Sequence, residues 1–140
     1  MSEQQHLEKQ KEALKAVINS YIQQDEARFL DRKRSAGLQH ITIDESRERL
    51  NGLVEVLNLS MKEITSLPEG LEPGQFARIK PSAFERGGNK IFSITAGDKI
   101  MLVGLREDQY LFADEYVDGE YKGGSNDFDL RQVANLLIQT

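Results

Sequence analysis

Apolar positions in this chain change their period twice, from helical to alternating and back again. From about Glu3 to Arg34 there is no Gly or Pro, and good helix formers dominate. Leu7, Leu14 and Tyr21 recur every seven residues with Val17, Ile18 and Ile22 beside them, which predicts one long helix. The cations of Asp31 to Arg34 suit its C-terminal end, and Ser35-Ala36-Gly37 supplies a stop. Its apolar stripe is narrow. Such a stripe either packs along the chain's own body or pairs with a second copy, so Leu7, Leu14, Ile18 and Tyr21 are the candidates for self-association in a homodimer. A second helix is expected near Asp44, with Thr42 and Glu45 spaced for a capping box, Asp44 as the alternative cap, and Leu50, Leu53, Val54 and Leu57 on one face. The two helices read as an antiparallel hairpin within a helical part spanning 1–67.

The stretch from Leu57 to Leu71, "LNLSMKEITSLPEGL", together with Val54 before it, places Val54, Leu57, Leu59, Ile64, Leu67 and Pro68 at spacings that resemble a leucine-rich repeat. Lys62 stands where that pattern takes asparagine, and the pattern occurs once. A lone unit cannot bury its face without neighbours, so no repeat architecture follows. The alternative expectation is that the second helix ends here and that Ser60 with Glu63 caps one further short turn.

Pro68, Gly70, Pro73 and Gly74 then break the chain, and from Gln75 the pattern becomes that of strands. "QFARIKP", "NKIFSIT", "DKIMLVGL" and "YLFADEYV" predict a meander of about four antiparallel strands over 75–122, with "KIMLVGL" central and most buried. Helical spacing returns in "DFDLRQVANLLIQT", where Leu130, Val133, Ala134 and Leu137 share a side, giving a C-terminal helix over 126–139 with Asn126 or Asp127 as its cap. The expected fold is α+β: an N-terminal helical hairpin, an antiparallel sheet and a C-terminal helix packed on it, in one domain of 140 residues.

Charge changes this picture more than composition does. Hydrophobic content of 39% and charged content of 29% suit a folded, rather polar domain. The net charge of −5 arises wholly after Lys90, where nine acids face four bases. A negative field of this kind repels nucleic acid and anionic lipid and favours basic protein surfaces. The chain has no cysteine, which excludes disulfides, thiolate metal sites and a cysteine nucleophile. The polar start has no apolar core of a secretory signal, so a cytoplasmic location without a membrane partner is the expectation.

Candidate chemistry is sparse. His6 and His40 stand near no carboxylate at a ligand or relay spacing, and the acids of "ADEYVDGEY" lack the alternation of a calcium loop. No metal or cofactor is expected, and no motif nominates a nucleophile, so the reading leans against an enzyme. Basic residues in "RIKPSAFERGGNK" (Arg78, Lys80, Arg86, Lys90) match no phosphate-binding loop; a solvated hairpin, or one pairing with the acidic third of the same molecule or of a second copy, explains them. Acids and tyrosines interleave from Tyr110 onward, and aromatic anchors beside charge suit protein interfaces. Tyr110, Asp114, Glu115, Tyr116, Asp118, Glu120 and Tyr121 are therefore the candidate partner-binding residues. The expected function is a small non-catalytic protein-binding module, such as an inhibitor, an immunity-type partner, or a chaperone or adaptor. The alternative is a small-ligand binder or enzyme with a pocket between the sheet and the C-terminal helix.

Overall fold

A computed structural model of the chain describes residues 3–27, 42–85, 89–106, 111–128 and 130–138, with the backbone alone for 3–4, 6–7 and 125–128. Helix α1 (Glu3–Asp25) and helix α2 (Ile43–Val56) precede strand β1 (Ser60–Ile64). A strap containing the short helix α3 (Pro81–Glu85) follows, then strands β2 (Lys90–Ala96), β3 (Lys99–Leu105), β4 (Leu111–Val117) and β5 (Glu120–Phe128), and finally helix α4 (Leu130–Ile138). The fold is α+β, and the sheet is a five-stranded antiparallel meander in the order β1-β2-β3-β4-β5.

Helix α2 begins as its sequence requires. The Thr42 hydroxyl accepts from Glu45 N at 3.1 Å and the Glu45 carboxylate accepts from Thr42 N at 3.1 Å, satisfying two of the amide groups that a helix start leaves without partners. Its end explains the leucine-rich stretch. Asn58 takes φ 57°, the left-handed conformation that closes helices, and the Leu59 amide returns to Val54 O at 2.9 Å. Chain direction reverses there, and Ser60–Ile64 emerges as a strand registered on β2, Met61 opposite Ile94. The further helical turn expected at Ser60 is thus replaced by β1, the fifth strand. "QFARIKP" is the opposite case: it alternates in sequence but runs outside the sheet, in the strap.

Strand β3 lies in the middle of the five and is buried almost throughout, as its apolar run predicts. Two-residue turns join its neighbours: Gly97 and Asp98 between β2 and β3, Asp118 and Gly119 between β4 and β5. Asp118 and Gly119 both have positive φ (52° and 81°), the combination whose twist matches a hairpin's. The last strand, β5, carries the glycine-rich run that lay beyond the expected sheet. It includes Asn126 and Asp127, so neither caps α4, which starts at Leu130.

Alternation divides the interior into two cores. On one face Phe92, Ile94, Met101, Val103, Leu105 and Ala113 pack beneath the helices with Ile18, Leu50, Leu53 and Val133. On the other, Ile91, Leu102, Phe112 and Tyr116 pack beneath the strap with Leu71, Ile79 and Ala83. All three long helices lie on one face, as expected; the opposite face is closed by the strap. Gly104 permits that closure, because any Cβ there would run into the Phe112 ring.

The second half of α1 is fixed by several independent contacts. Arg49 of α2 forms a two-pronged ion pair with Asp25, both N–O distances 2.8 Å, and the Tyr21 hydroxyl donates to Arg49 O at 2.5 Å. Arg131 of α4 donates to Asn19. No helix among the described residues is long and apolar enough to cross a membrane.

Candidate functional site

The acidic, tyrosine-bearing stretch lies mostly on β4, and strand geometry sends its neighbours to opposite faces. Phe112, Asp114 and Tyr116 point toward the strap, while Leu111, Ala113 and Glu115 point toward the helices. The seven candidate residues therefore do not form one surface. Tyr110 lies outside the described residues.

Asp114 and Tyr116 are interior, both 0% exposed, which overturns their placement on a binding face. Asp114 accepts hydrogen bonds from Arg78 N at 2.9 Å and Ile79 N at 2.7 Å. It captures the two strap amides that would otherwise have no sheet partner, and so serves as the strap's fastener. Burial pushes its pKa up from the ordinary 3.8, outweighing the two amide donors and the nearby Arg78 and Lys80 charges. The basic residues of "RIKP" thus meet the acidic third of the same chain through backbone as well as charge. Tyr116 contributes its ring to the strap core and meets the Tyr121 ring edge-on at 5.6 Å. Its hydroxyl has no hydrogen-bond partner among the described residues. Burial, then the charge of Asp114, then Tyr121 push that hydroxyl up to about 12. Tyr121 is half-buried against Gly74 of the strap, where a Cβ would strike its ring.

Asp118 and Glu120 are exposed at the β4–β5 hairpin. The Asp118 amide donates to Asp98 O at 3.0 Å, tying this turn to the β2–β3 turn. Gly70 of the strap is adjacent, its carbonyl 3.9 Å from where a Cβ on Gly119 would lie. Exposed Glu69, Glu72, Asp98, Asp118 and Glu120 therefore gather at one end of the sheet, with Lys122 pairing Glu120 at 3.4 Å. Glu69 and Glu72 are sequence-remote from the others, and no periodicity could have brought them in.

Glu115 belongs to a different feature. A cleft of about 380 Å³ opens between β4, β5 and α4, lined by Met101, Ala113, Asp114, Glu115, Gly123, Gly124, Gln132, Asn135 and Leu136. Its floor is bare backbone where β5 contributes Gly123 and Gly124. Pairing of Glu115 with Gly123 but of Tyr116 with Tyr121 leaves Lys122 as an extra residue, a bulge at the cleft's edge. Lys99, 6% exposed, donates to Leu136 O at 2.5 Å and stands 3.7 Å from Glu115 Oε1. The cleft thus lies between the sheet and the C-terminal helix.

Of the self-association candidates, Ile18 is buried, and Leu14 and Tyr21 pack against the same helix-side core. The Leu7 and His6 side chains and all of His40 lie outside the described residues. No cluster of three or more His, Asp or Glu side chains able to hold a metal ion occurs among the described residues. No protein-family model, curated protein or solved structure matches the chain.

Proposed function

We propose that the protein acts by binding a second protein, through the acidic end of its sheet, to a basic surface on that partner. One observation carries this reading: the Asp118–Asp98 backbone bond joins two hairpin turns and brings the carboxylates of both hairpins together, beside the strap at Gly70. Exposed ion pairs add little affinity singly, about 0.2–1 kcal/mol each, but a one-signed patch speeds encounter and fixes orientation. Asp118, Glu120 and Tyr121 are retained from the sequence reading; Glu69, Glu72 and Asp98 join them. Charge reversal at Asp114 does not test this, because a lysine there would break the strap. The suitable variant is Glu72→Lys with Glu120→Lys, both exposed and in ordinary backbone. A partner retained by the wild type at low salt should be lost at high salt and lost by this variant, with the thermal melt unchanged. Equal retention by the variant overturns the proposal.

A second reading, a small-ligand site, is favoured by the cleft beside α4. Its volume lies within the roughly 300–1,000 Å³ of ligand pockets, and its wall combines apolar groups with a carboxylate and amides.

A further inference from the structure

Resting on that second reading, we infer that the cleft between β4, β5 and α4 takes a small organic molecule with a protonated amine and an apolar body. The apolar part would lie on Met101, Ala113 and the bare backbone of Gly123 and Gly124. Gly123 is held at φ 152°, a conformation that disfavours side chains, and a Cβ there would meet nothing within 4 Å. The floor is consequently open space kept open by backbone conformation.

The head group is set by Glu115. Its side chain is 20% exposed in the cleft wall, and it is ion-paired with buried Lys99 at 3.7 Å. Lys99 stands at 3.7 Å, beyond hydrogen-bond length, because its ammonium is directed to Leu136 O in the last turn of α4. That turn also adds the partial negative charge of a helix C-terminus. Lys99 offsets part of the Glu115 charge from 3.7 Å without a hydrogen bond to it, so the carboxylate oxygens keep acceptor capacity for a charge-assisted N–H donor, which an ammonium supplies together with charge. The exposed Asn135 amide offers a carbonyl acceptor beside it. A carboxylate ligand would instead meet Glu115 as a like charge.

The test uses three probes of one shape: phenethylamine, phenethyl alcohol and hydrocinnamate, followed through the amide NMR signals of Gly123, Gly124 and Asn135. Phenethylamine should shift these signals and the other two should not, or far more weakly. Glu115→Gln, nearly isosteric, should weaken amine binding by about tenfold, the loss of one charge-assisted contact. Asn135→Trp, placed at an exposed helix position, should fill the cleft and abolish it. If the alcohol or hydrocinnamate binds as tightly as the amine, or Glu115→Gln leaves its affinity unchanged, the amine assignment fails while the cleft stands as a ligand site. If no probe shifts these amides at millimolar concentration, or Asn135→Trp leaves binding intact, the ligand-site reading fails with it. Should Glu115→Gln unfold the protein, the probe series and Asn135→Trp still decide.

Discussion

Asp114 shows how far a single residue's role depends on what lies across from it. In sequence it is one acid among several on an alternating strand, and alternation alone cannot say which face is covered. The strap covers it, and Arg78 N and Ile79 N are the reason that a charged group sits in a core. Replacing it by alanine leaves both amides unmet, and Asp114→Ala should cost about 2–4 kcal/mol in urea denaturation. Asparagine should behave differently. A carboxyl whose pKa is raised on folding binds its proton more tightly in the folded state than in the unfolded chain. Stability is then fully present below the ordinary value of 3.8 and falls as pH rises through the raised one. Asp114→Asn, permanently neutral, lacks this slope. Its single amide oxygen can accept from only one of the two strap amides, and its Nδ2 group faces the other. It should therefore be less stable than the wild type by about 1–3 kcal/mol, and by less at neutral pH than in acid; denaturation midpoints at the two pH values check it. Tyr116 offers the complementary case. Its hydroxyl is buried without a partner, so Tyr116→Phe should raise stability by about 1 kcal/mol, measured as a higher melting temperature.

At the scale of elements, the sequence disclosed those whose identity is local. The apolar run of β3, the helical face of α4 and the capping box of α2 are each written in adjacent residues, and each is found in place. Thr42→Ala should accordingly cost about 1 kcal/mol, with Thr42→Ser recovering most of it, as followed by thermal unfolding. What the sequence hid were the two edges of the sheet. Strand β1 is largely exposed, so its residues carry no alternation of burial, and only pairing with β2 makes it a strand. Strand β5 is rich in glycine, and its pairing is a matter of backbone hydrogen bonds rather than side-chain pattern. "QFARIKP" failed in the other direction: its alternation reflects Ala77 and Ile79 reaching the core from a strap. The site was less legible than the fold for the same reason. Glu69 and Glu72 reach the acidic end through a tertiary approach of Gly70 to Gly119 that no local rule encodes.

On the scale of the whole molecule, α1 is attached unevenly. Ile18, Asn19, Tyr21, Ile22 and Asp25 make its contacts to α2, α4 and the core, whereas Glu8 to Ala13 are exposed. A helix gains most of its stability from the face it packs, so the two halves should answer differently to change. Ile18→Ala should cost about 3 kcal/mol, from lost burial and the cavity left behind. Removing residues 1–10 should cost less than about 1 kcal/mol, because the turns from Leu14 onward keep their partners. The same deletion separates the two uses of the apolar stripe. Ile18 and Tyr21 are already engaged within the chain, so the urea midpoint should be independent of protein concentration with or without residues 1–10. A concentration-dependent midpoint that the deletion removes would instead assign the outer turns of α1 to self-association, since only a coupled dimer equilibrium links stability to concentration.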